Sequence, residues 1–194
     1  MNDKIRELIE DIEEMKAKLA EEIDKQESDI SYQIKNGYVT FEKEVLAKQR
    51  ENMKNLLSWL AEVPLLHFIV APLVYAMVIP AIFLDVTLSI YQQVVFRVFK
   101  FKRIRRSDYI VFDRHYLGYL NSIEKLNCIY CSYFNGLMQY ASAIAGRTEF
   151  YFCPIKHAKK IVSQHQYYEE FLSYGDEEEY QKKLKELRDN SELS

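Results

Sequence analysis

Residues 56–99, LLSWLAEVPLLHFIVAPLVYAMVIPAIFLDVTLSIYQQVVFRVF, decide the class of this protein. Their only charged members are Glu62, Asp85 and Arg97, and the 22 residues 63–84 carry no charge at all. About 20 apolar residues are what a helix needs to cross the hydrocarbon core of a bilayer. A chain of 194 residues is too small to wrap an all-round apolar helix of that length in its own interior, so the stretch reads as a membrane segment. It is also long enough for two short spans, with a reversal around Pro80 to Asp85.

The flanks favour the second arrangement. Arg97, Lys100, Lys102, Arg103, Arg105 and Arg106 place six cations within ten residues after the segment, and Lys48, Arg50 and Lys54 precede it, diluted by Glu44 and Glu51. Cations next to a span stay on the cytoplasmic side, so two cationic flanks predict a transmembrane helical hairpin with both termini in the cytoplasm. The hairpin also brings Asp85 to the far interface and away from mid-bilayer, where a carboxylate costs about 3 kcal/mol on insertion scales. Acidic lipid head groups are a further use for the cationic cluster, although topology alone accounts for it.

Elsewhere the chain reads as helical. Five Gly and four Pro are too few punctuators for a fold of many short strands. The expected class is therefore an all-α membrane protein with four parts: a coiled-coil-like arm over 1–55, the membrane segment over 56–99, a cytoplasmic Cys/His helical domain over 100–174 and an acidic tail over 175–194. In the arm, Ile5, Leu8, Ile12, Met15 and Leu19 recur at three and four, which suits a partner helix or a homo-oligomer through residues 5–23, and equally a helix lying on the protein's own body. Residues 30–41 read either as a small β-hairpin turning at Asn36-Gly37 or as a joint between two helices. Two further helices are predicted, over 116–145, stopped by Gly146, and over 155–174. A net charge of -3 excludes a generally basic nucleic-acid binder. The odd count of three cysteines, with no cleavable leader in a charged, helical N-terminus, fits a reducing compartment.

Chemistry concentrates in two pairs, Cys128-x2-Cys131 and Cys153-Pro-Ile-Lys-His157. Three thiolates and an imidazole are the donor set of a closed tetrahedral Cys3His zinc site, and an iron-sulfur cluster is the alternative cofactor for the same ligands. Pro154 at the first helical position would make Cys153 an N-cap with His157 one turn further on. Glu149 is the nearest carboxylate to orient that imidazole. The competing reading is three reduced thiols packed as small hydrophobes. Asp113, Arg114 and His115 before the long helix and Arg147, Thr148 and Glu149 after it read equally as helix caps and surface pairs. No phosphate-binding loop, dinucleotide fingerprint or nucleophile elbow occurs, which leaves hydrolase and kinase readings without support.

The runs Arg105-Arg106-Ser107-Asp108-Tyr109, Asp113-Arg114-His115, Lys125-Leu126-Asn127-Cys128-Ile129-Tyr130-Cys131, Asn135-Gly136 and Arg147-Thr148-Glu149, through Cys153-Pro154-Ile155-Lys156-His157-Ala158, resemble a family of small bacterial inner-membrane proteins. The likeness extends over about 41–159. It implies a bacterial inner-membrane location and carries no activity. The functional expectation is a membrane-anchored scaffold or assembly factor stapled by metal, with a membrane-bound redox or metal-handling enzyme as the alternative.

Overall fold

The structure is a computed structural model that describes residues 3–28, 32–35, 38–41 and 43–189. The chain is mostly helical and divides into two compact units, residues 1–54 with 116–120, and residues 55–115 with 121–194.

The first unit holds α1 (Asp3–Ser28), the strands β1 (Tyr32–Lys35) and β2 (Tyr38–Phe41), and α2 (Lys43–Glu51). Among its described side chains, α1 leaves Leu8, Ile12, Met15, Leu19 and Ile23 exposed by 45 to 61%. Lys18 with Glu14, and Lys25 with Glu21 and Glu22, form ion pairs at helical spacing along the same helix. The strands pair antiparallel from Tyr32 opposite Phe41 to Lys35 opposite Tyr38. Of the two readings for this segment, the chain takes the β-hairpin. Its Asn36-Gly37 turn lies outside the described residues. Gln49 of α2 accepts the Gly118 amide at 2.8 Å, which ties residues 116–120 to this unit.

In the second unit, α3 (Leu56–Glu62) is capped by Asn55, whose side chain accepts the Leu57 amide, and stops where Pro64 forces Val63 into an extended conformation. The following helices α4 (Leu65–Ala76) and α5 (Val78–Val98) are separated by Met77 alone. Pro80 explains the interruption: it has no N–H for the Ala76 carbonyl, and its ring would collide with that oxygen. Met77 nonetheless keeps helical dihedrals, so the chain continues in the same direction. The expected reversal is thereby corrected, because Pro80 to Asp85 all lie inside α5. Residues 65–98 make one helix long and apolar enough to cross a membrane, where the sequence predicted two. At about 1.5 Å per residue this rod is about 51 Å long.

Beyond α5 the chain doubles back. Ile104 donates its amide to Gln92 at 2.8 Å, and Arg106 reaches Asp85, so the cationic segment descends along the helix it has just left. Next comes α6 (Ser122–Phe152), opened by a capping box in which Asn121 accepts the Ile123 and Glu124 amides and Glu124 accepts the Asn121 amide. That cap, a stronger start signal than Tyr116, explains why α6 begins six residues later than predicted. It runs parallel to the α4–α5 rod. The pairs Tyr75 with Asn127, Asp85 with Tyr133 and Gln92 with Tyr140 advance together along both helices.

The core lies among α5, the returning segment, α6 and the chain after it. Phe96, Phe101, Ile110, Leu137, Tyr140, Ile144, Phe150, Tyr168 and Phe171 are buried in one cluster. Two glycines are part of this packing. A Cβ on Gly136 would lie 2.5 Å from the Tyr109 carbonyl oxygen, and one on Gly146 would lie 2.5 Å from the His165 ring. Gly146 thus serves a close approach within α6, and the helix continues six residues past the expected stop. The helix predicted over 155–174 is also corrected. There Ile155 and Leu172 form a parallel bridge, and a single 3-10 turn covers Tyr168–Glu170, because side-chain burial against α6 outweighs local periodicity. The tail contains α7 (Glu177–Asp189), which buries Leu184.

Candidate functional site

The continuity of α6 decides the fate of the predicted metal centre. Cys128 and Cys131 sit one turn apart near its start, whereas Cys153 is its C-terminal cap, 22 residues beyond Cys131. Along an α-helix that separation is about 33 Å, and thiolates sharing one zinc must each lie within about 2.3 Å of it. Cys153 is not the N-cap of a following helix, and His157 lies exposed with its ring stacked on Tyr168. Among the described residues no group of three or more His, Cys, Asp or Glu side chains is placed to hold a metal ion. The structure therefore does not assemble Cys128, Cys131, Cys153 and His157 into one site. All three thiols are free.

Glu149 does orient an imidazole, but that of His165, at 3.0 Å, and not of His157. Its neighbours in the Arg-Thr-Glu run are equally occupied. Arg147 bonds the Tyr167 hydroxyl and the Lys102 carbonyl, with its guanidinium over the Tyr167 ring, and Thr148 meets the Tyr91 hydroxyl at 3.0 Å. Three successive residues of α6 thus tie α5, the returning segment and the 165–167 loop to one helix. This cluster is a clamp. Sequence reasoning saw its α6 half and missed His165 and Tyr167, whose partners are 16 and 20 residues away.

A second polar cluster marks the middle of the rod. Asp85 accepts two hydrogen bonds from Arg106, at 2.7 and 3.1 Å, and one from Tyr133 at 3.1 Å. The hydrogen bond to Asp85 raises Arg106 above its ordinary pKa, against the opposing cost of burial. Burial and the same carboxylate raise Tyr133, which stays a neutral donor. Asp85, expected alone at a far interface, is instead neutralised from within the chain.

The outer side of the rod remains unaccounted for by such contacts. In its most apolar 18-residue window the mean hydropathy is 2.2 and only 6% is buried. Leu66, Ile69, Leu73, Met77 and Ile79, then Phe83, Val86, Ile90, Val94 and Val98, are all exposed. The opposite side of α5, with Ala81, Gln92 and Phe96, faces the core. This is a continuous apolar stripe, far longer than the scattered exposed hydrophobics of an ordinary surface. At its end, Gln92, Gln93, Phe96, Arg97, Lys100, Phe101 and Arg103 line a depression of about 250 Å³. A search of protein-family models, of curated proteins and of solved structures finds no match to this chain, so its reading rests on this geometry.

Proposed function

We propose that this protein is a membrane-bound helical scaffold whose α4–α5 rod lies along one leaflet of the bilayer and whose α1 stripe engages a second copy of the chain. The exposed apolar stripe on residues 65–98 carries the membrane half of this reading. Two observations favour lying along the leaflet over crossing it. The rod, at about 51 Å, well exceeds the roughly 30 Å hydrocarbon core. Its packed side also carries charge along its length: Glu124 and Lys125 one turn before Asn127, which bonds Tyr75; Arg106 at Asp85; and Arg147 beside Thr148, which bonds Tyr91. These groups are spread over about 24 Å of rod, so a perpendicular insertion would draw some of them into hydrocarbon, where ionisable side chains are expensive.

The surface proposed is the cytoplasmic face of a bacterial inner membrane, the location implied by the motif resemblance. Metal is left out of the reading because its four ligands stay apart, and no observation favours a redox enzyme. For the arm, five exposed apolar residues at spacings of three and four along one helix support a self-partner.

Fractionation of expressing cells tests the anchor: the chain should stay with membranes through an alkaline carbonate wash, and recovery in the soluble fraction refutes it. Depth is tested with single cysteines at Ile69, Phe83 and Val94 in a cysteine-free background. Equal protection from a membrane-impermeant thiol reagent fits the leaflet arrangement. Protection of the middle position alone indicates a crossing.

A further inference from the structure

We infer that the depression at the C-terminal end of α5 is a binding site for the phosphate of an anionic phospholipid. The inference rests on the membrane reading above and adds a specific lipid class to it. Arg97, Lys100 and Arg103 converge on one depression whose walls contain no carboxylate. Among the described residues none of the three is in an ion pair, whereas their neighbours Arg105 and Arg106 are paired with Asp108 and Asp85. Three unpaired cations gathered in one hollow repel each other, and an anion seated among them relieves that repulsion.

Backbone conformation supplies a second observation. Phe101 donates its amide to the Phe96 carbonyl, and Lys100 stands between the helix end and Phe101 at φ +58, the left-handed position that closes many helices. Glycine is the residue suited to that position, and Lys100 is the only described non-glycine residue in the chain with positive φ. A cation near a helix C-terminus interacts favourably with the helix dipole, which accounts for Arg97 in the last turn. It does not account for a strained lysine where glycine would cap the helix without cost. Conformations of this kind persist where function uses them.

The position of the site selects a lipid over a soluble phosphate. Arg97 follows Phe83, Val86 and Ile90 at helical spacing, so its Cα lies on the apolar stripe, and exposed Val94 and Val98 flank it. A phosphate in the hollow thus has apolar surface leading away from it along α5. An acyl chain fits that surface and a free anion leaves it bare.

Binding of the purified full chain to phosphatidylcholine vesicles, with and without phosphatidylglycerol, tests the site. The wild type should bind the anionic vesicles more tightly, and Lys100→Gly with Arg103→Gln should weaken that binding by more than the about 25-fold that losing two surface cations gives by general attraction alone. Lys100→Gly relaxes the backbone, so this variant should melt no lower than the wild type, which separates loss of the site from loss of the fold. Lys102→Gln with Arg105→Gln removes the same charge outside the hollow. Equal losses in the two double variants reduce the effect to general attraction and overturn the site. Inorganic phosphate, compared with chloride at matched ionic strength, should not displace the protein from vesicles, and displacement would make the ligand a soluble phosphate. A wild type that binds neither vesicle overturns the membrane reading itself, whereas equal binding to both overturns only the lipid preference.

Discussion

The chain carries two exposed apolar stripes, one on α1 and one on the α4–α5 rod, and their surroundings differ. Fifteen of the 26 residues of α1 are charged, against two of the 34 in residues 65–98. On α1 the stripe is a narrow seam between ion-paired flanks, the pattern of a helix that seeks another helix and stays in water on its other sides. On the rod, apolar side chains continue around the helix until α6 and the returning segment cover them. On the reading proposed above, the residues beside each stripe distinguish the two: charge on both sides suits protein, and its absence suits lipid.

The largest expected effect sharpens the contrast between the two sides of the rod's unit. Leu137→Ala, in the core facing α5, should cost about 2–5 kcal/mol in a denaturation midpoint measured in mild detergent. Ile90→Ser on the outer stripe should change that midpoint little and instead lower the fraction recovered with membranes. A large loss of stability from Ile90→Ser would mean that the stripe is covered by protein.

The arm gives the next prediction. Ile12→Lys with Leu19→Lys should reduce the oligomeric mass of the protein in detergent to that of one chain, with membrane association retained. An unchanged mass would break the comparison, since the α1 seam would then have no copy to bind.

The smallest effects are expected at the thiols. Cys128→Ser, Cys131→Ser and Cys153→Ser should each shift the melting midpoint only slightly and by unequal amounts, and the purified chain should hold no stoichiometric metal. Matched losses of stability in all three, accompanied by release of zinc, would show that the chain adopts a second arrangement in which α6 is broken.

Legibility in the sequence followed the range of the interaction. The absence of charge over 63–84 is a local property, and it was enough for a helical, apolar segment. Asn36-Gly37 marked a turn for equally local reasons, and the strands on either side of it pair in register. Pro80 was misread because its effect depends on position: as the third residue of α5 it interrupts one hydrogen bond without turning the chain. Gly146 looked like a stop until the His165 ring, 19 residues later, showed why no side chain fits there. The four expected metal ligands stand apart for the same reason in reverse. Bringing the Cys128 and Cys131 pair to the Cys153 and His157 pair requires a break in α6, and the buried run from Gly136 to Phe150 keeps that helix whole. The Asp85 and Arg106 pair, 21 residues apart, had no local signal at all.

Parallel pairing of α5 with α6 has a consequence for synthesis on the ribosome. Two antiparallel helices can close as soon as a short loop has emerged, but here the end of α6 follows the end of α5 by 54 residues. At ordinary elongation rates that is a delay of roughly 3 to 11 seconds. During this interval residues 65–98 are complete and the helix that shields their inner side is not. The nascent chain therefore presents its apolar surface on all sides before it presents it on one, and the bilayer can capture it while it is still tethered to the translation machinery. On the membrane reading proposed above, order of emergence, as much as final shape, would direct the chain to the bilayer.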